Sequence, residues 1–98
     1  MPIVPGAATA RPETIAEMTA LALDHVRRSR AEPGCLAHEV HVDAENPLRL
    51  TFLERWADDA ALAAHFALPA SKDFVRRLRA LSASSGAIEI YHTTRVTL

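Results

Sequence analysis

In LTFLERWADDAALAAHF, residues 50–66, a carboxylate, an indole and an imidazole stand at Glu54, Trp56 and His65. A histidine or a desolvated carboxylate can take a proton from a phenol or an enolisable carbon. The anion so formed needs a site that shelters it from water. The spacing supports this pairing: strand alternation puts Glu54 on one face with Leu50, Phe52 and Trp56, while His65 lies one helical turn from Leu62 and beside Phe66, near a core-facing stripe. Each residue also has a simpler reading. His65 serves equally as a hydrogen-bonded histidine tying helix to sheet, Glu54 as the partner of Arg55 or Arg95, and Trp56 as a large core residue rather than a wall that stacks on a flat substrate. His38, on the face of Val40, and His92, in the last strand, are further candidates to line a cavity, and a structural role is the alternative for both.

Metal chemistry finds no local motif. His38 and His41 are three apart on a strand and so point to opposite faces, and no HxH or HxxxH spacing occurs. Cys35, the single cysteine, has neither a CxxC partner nor a disulfide partner, and its expected role is packing. A metal site requires convergence of histidines distant in the chain. Neither a Gly-rich phosphate loop nor a GxSxG elbow is present, and Ser71 reads as a helix cap. The expectation is no cofactor and no metal.

These residues need elements to position them. Residues 2–10 form an imperfect strand, broken by Pro5 and Gly6 and so an edge or a bulge. Pro12 and Glu13 open a helix with Ile15, Met18, Ala22 and Val26 along one side and Arg27, Arg28 and Arg30 near its end. Glu32-Pro33-Gly34 stops it. CLAHEVHVD and LRLTFLERW both alternate, and AENP between them makes an antiparallel hairpin. Asp58 caps a short helix carrying Leu62 and Phe66; Pro69 interrupts, and a further helix with Phe74, Leu78 and Leu81 runs to Gly86. AIEIYHTTRVTL, β-branched and alternating, closes the chain as a strand. The order βαββαβ predicts an α+β, ferredoxin-like fold: a four-stranded antiparallel sheet with its helices on one face. Apolar residues on both strand faces predict that a second copy covers the other one, making a homodimer.

With 98 residues, one domain over 1–98 is expected, burying about 60 to 70 % of its unfolded surface. The charged residues balance to a net −1, a field that attracts neither nucleic acid nor an anionic membrane. The opening MPIVPGAATARPET lacks the marks of a signal peptide and no apolar run approaches the roughly 20 residues of a membrane span, so a cytoplasmic location is expected.

RSRAEPGCLAHEVHVD followed by LTFLERWADDAALAAHFALPASKDF resembles the antibiotic biosynthesis monooxygenase family, with its EPGC, strand, turn, E-x-W, alanine- and leucine-rich helix start and His in that order. The resemblance extends to Pro12 and to Tyr91 in the last strand. It implies a dimeric α+β barrel in which two sheets pack face to face and each subunit keeps its own cavity. It also implies a small monooxygenase that oxidises a quinol, phenol or polycyclic aromatic with dioxygen and without metal, flavin or haem. On that reading His65 and Glu54 are catalytic, and Trp56, His38, His92, Phe66 and Tyr91 bind the substrate. Other members isomerise small phosphorylated sugars, for which Arg49, Arg55 and Arg95 are the available anion donors, and a non-catalytic ligand-binding domain is a further alternative. The haem-degrading branch uses a first-strand Asn, a Trp and an axial His. This chain has no Asn in its first strand, His65 near the Trp position and Leu78 near the axial one, so haem is set aside.

Overall fold

The nine residues of β1 (Pro2–Ala10) extend despite Pro5 and Gly6, and the computed structural model, which describes residues 1–98, explains how. On one side β1 pairs antiparallel with β3 (Asn46–Trp56) without interruption from Ile3 to Thr9. On the other side it pairs with β4 (Ser82–Ser85) at Ala8–Ala10 and with β5 (Tyr91–His92) at Pro2 and Ile3. The break falls where Pro5 has no N–H to give. β2 (Cys35–Asp43) completes the sheet against β3, giving the order β2-β3-β1-β4. The hairpin is tighter than AENP suggests, because Asp43 already faces Asn46. Asp43 Oδ1 accepts from Glu45 N at 2.8 Å and its Oδ2 from Arg49 at 3.1 Å, and the backbone donor first, then the guanidinium, hold this carboxyl below the usual carboxylate range.

Helix α1 (Ile15–Ser29) starts later than Pro12, with Thr14 at its N-cap position. Its buried stripe includes the expected Met18, Ala22 and Val26, and also Leu21, His25 and Ser29. Met18, Ala22, Ala8, Ala10 and Leu50 form one core cluster; Val4, Trp56 and Leu62 form a second. Full burial of a Met18- or Leu50-sized side chain contributes about 1.5 to 3 kcal/mol. Asp58 caps α2 (Asp59–Ala67), accepting from Ala61 N at 2.8 Å. In α3 (Pro69–Leu81) the cap position is Leu68, with Pro69 at the first helical residue, so Ser71 is not a cap.

The closing strand departs most from expectation. The last helix stops at Leu81 rather than Gly86, Ser82–Ser85 form β4, and within AIEIYHTTRVTL only Tyr91 and His92 join the sheet. The result remains an α+β fold with an antiparallel sheet and three helices. No helix is long and apolar enough to cross a membrane.

Candidate active site

Register places the site. His38 on β2 lies opposite Glu54 on β3, which lies opposite Val4 on β1, so all three face the helices. His25 comes from α1, His65 from α2, and Ser71 and Phe74 from α3, all buried. Together they close one end of a cavity of about 100 Å³. Phe52, Phe66, Val75 and Leu78 make its apolar wall, and Val4–Ala7 and the exposed residues 85–88, where the chain leaves β4, also line it.

At the closed end His65 Nδ1 stands 2.8 Å from Glu32 Oε1. A carboxylate only accepts, so the hydrogen sits on Nδ1 and leaves Nε2 with its lone pair when the ring is neutral. Nε2 lies 3.6 Å from Glu54 Oε1, the same oxygen that accepts from Trp56 Nε1 at 3.0 Å. His38 Nε2 is 3.4 Å from it, without hydrogen-bonding geometry, and neither nitrogen of His38 has a partner although both are buried. Such orphaned groups cost about 1 to 3 kcal/mol each. His25 stacks on Phe74 with ring centroids 3.8 Å apart, and Arg28 donates to its Nδ1 at 3.0 Å. Burial first, then the charges of His38, His65 and Arg28, push the His25 pKa down from 6.5 to about 3, so the ring is neutral at ordinary pH.

The cavity thus gathers His65, Glu54, His38 and Phe66 from the expected set. Trp56 is not among the cavity-lining residues: it is wholly buried, its ring 4.7 Å from that of His65, and its indole N–H holds Glu54. Tyr91 and His92 do not line it either. Both are exposed on the short β5, where Tyr91 donates to Glu89 and His92 meets Asp59 at 2.8 Å, outside the cavity. Glu54 has neither expected arginine partner, and Arg49, Arg55 and Arg95 do not line the cavity. Sequence reasoning missed His25, Glu32, Ser71 and Phe74. His25 left a signal, since it stands seven residues after Met18 and three after Ala22 on the buried stripe. Cys35, half-buried, has its thiol pushed up by burial and by Glu32 and Glu54, which suits packing rather than nucleophilic chemistry.

Fold and site together define a ferredoxin-like α+β protein with a histidine- and carboxylate-ended apolar cavity under its helices. Residues 1–77 match the model of the family described as antibiotic biosynthesis monooxygenase, and the chain belongs to that family. A candidate antibiotic biosynthesis monooxygenase from Deinococcus radiodurans is similar in structure over 100% of this chain and 97% of its own, with a TM-score of 0.93 and 26% identity. A second crystal structure, of an antibiotic biosynthesis monooxygenase, covers 97% of this chain and 100% of that one, with a TM-score of 0.86 and 29% identity. An uncharacterized protein of Synechocystis sp. is 33% identical over 89 residues, 91% of this chain, and the match spans 60% of that protein's length.

Proposed function

We propose that the chain is a small monooxygenase that oxidises a phenol or quinol with dioxygen, and that the proton leaves through His65. One observation carries this reading: His65, oriented by Glu32 at 2.8 Å, holds a bare Nε2 beside Glu54 at the closed end of an apolar cavity. His65 Nε2 takes the phenolic proton and Glu32 stabilises the imidazolium. The phenylalanine wall excludes water while the phenolate gives an electron to dioxygen; one oxygen atom then enters the ring and the other departs as water, so that phenol and O2 become quinone and H2O. Size narrows the substrate. A pocket that binds benzene measures roughly 150 Å³, and this cavity is about 100 Å³. A single ring therefore fills it, and a polycyclic substrate exceeds it.

The test is oxygen uptake by chelator-treated protein with one-ring and two-ring quinols, repeated on His65→Ala and Glu54→Gln. Loss of about 10² to 10⁴ fold in turnover, with both variants still folded, is the expected result. Variants that melt early yet oxidise at the parent rate make both residues structural and overturn the assignment. The reading extends to a homodimer, supported by the exposed apolar side chains of Leu36, Val42, Ile88, Ile90 and Val96. Light scattering is expected to give twice the 10.7 kDa chain mass, and a 10.7 kDa species at micromolar concentration refutes it.

A further inference from the structure

The same closed end holds a constellation that proton transfer leaves unexplained. One ring nitrogen from each of His25, His38 and His65 lies within 4.8 Å of the others, and all three rings are buried. His38 is the anomaly: a side chain 1% exposed, aimed into the cluster, with both nitrogens unpartnered. Its Nε2 stands 3.4 Å from Glu54 Oε1, and His65 Nε2 stands 3.6 Å from the same oxygen. Neither contact is a hydrogen bond. Both separations are, however, those of neighbouring ligands on a shared ion, since donors about 2.1 Å from a tetrahedral metal stand about 3.4 Å apart.

From this geometry we infer that His25, His38, His65 and Glu54 bind one divalent transition-metal ion. Three properties of the cluster fit. Glu32 fixes His65 with Nδ1–H outward and Nε2 inward, the carboxylate–histidine support that metal-ligating imidazoles use. Charge favours a cation as well: with neutral imidazoles, Glu54 and Glu32 set two negative charges around it, against the one Arg28 guanidinium on His25. Imidazole nitrogens with one carboxylate suit zinc, copper, iron or nickel over calcium or magnesium, which prefer oxygen alone. His25 joins with one rearrangement. Its Nδ1 accepts from Arg28, so its hydrogen sits on Nε2 and must leave, or the ring must release Arg28, when the metal binds. The inference stands apart from the oxygenase reading, because the ion occupies the His65 lone pair that would take the proton, and binding is measured without turnover.

The experiment titrates chelator-stripped protein with Zn²⁺ by calorimetry and with Co²⁺ by its visible ligand-field spectrum. One ion per chain is expected. His38→Gln and His65→Gln are expected to weaken binding by more than about 100-fold and Glu32→Gln by about 10- to 100-fold, while His41→Gln, on an exposed ring, leaves it unchanged. Imidazole NMR of the parent chain avoids any folding defect in the variants: zinc is expected to shift the resonances of His25, His38 and His65 and to leave His41 and His92 in place. No stoichiometric binding of either ion, shifts confined to His41 and His92, or full affinity in Glu32→Gln overturns the inference. Oxygen uptake by the stripped protein tests the catalytic reading separately.

Discussion

Replacing Gly34 by alanine probes the turn that carries Glu32 to His65. Gly34 has φ +80°, and a Cβ there would lie 2.5 Å from Ala61 Cβ and 3.7 Å from Ala57 Cβ. Two separate penalties result. The left-handed backbone costs an alanine about 1 to 2 kcal/mol, and pushing a methyl against a helix that cannot yield costs about 1 to 3 kcal/mol. The sum is about 2 to 5 kcal/mol, and at about 4 to 8 °C per kcal/mol for a domain of this size the melting temperature falls by at least about 8 °C. Ala61→Gly separates the two, because it removes the opposing methyl at a helix-propensity cost of about 1 kcal/mol. The double variant is therefore expected to lie about 1 to 3 kcal/mol above the sum of the single ones. Urea unfolding of all four proteins at one fixed concentration measures this cycle. Strict additivity means that the collision is not felt, and an unchanged Gly34→Ala midpoint refutes the backbone argument too. The turn also makes the bonds Cys35 N to Glu32 O and Ala57 N to Gly34 O, so a displaced Gly34 shifts Glu32 from His65 and lowers turnover beyond what instability explains.

Two further outcomes follow from local contacts. Asp58→Ala removes the acceptor for Ala61 N and is expected to lose about 1 kcal/mol in urea unfolding, while Asp58→Asn keeps most of it; equal losses in the two mean that the cap is not what stabilises α2. His25 has a folded pKa of about 3 against 6.5 unfolded, so between these values the unfolded chain binds the extra proton. Its contribution is complete above 6.5 and is lost at about 1.4 kcal/mol per pH unit as pH falls toward 3. In chelator-treated protein the urea midpoint is thus expected to drop more steeply between pH 6.5 and 4.5 in the parent than in His25→Gln, and parallel curves contradict this.

Local patterns carried the hairpin, the Met18-Ala22-Val26 stripe and the Asp58 cap, because period and capping chemistry act over a few residues. They failed where distant partners decide. SASS has little strand propensity, yet Ser82–Ser85 pair with β1, while the β-branched AIEIYHTTRVTL contributes only two paired residues. Alternation put Glu54 on a face with Phe52 and Trp56 and His38 on a face with Val40, and a helical turn from Leu62 put His65 near the core-facing stripe, while only strand register showed that all three meet. Glu32 was hidden because Glu-Pro-Gly is a sufficient stop signal, and its contact with His65 spans 33 positions. The histidine cluster joins α1, β2 and α2, a convergence that no spacing rule encodes. Trp56 was legible as large and buried, but the bond from its indole N–H to Glu54, which holds that carboxylate, was not.

Pro5 sets sheet completeness against an open edge. Val4–Ala7 and residues 85–88 both line the cavity, at the stretch where β1 loses its partner on one edge. A continuous ladder from Ser82 to His92 would stitch that seam shut. By withholding a donor at the middle of the strand, the proline keeps an unsewn length of backbone beside the cavity. A valine there restores the missing donor, so the substitution that lets the sheet complete itself is the one that seals this side of the cavity.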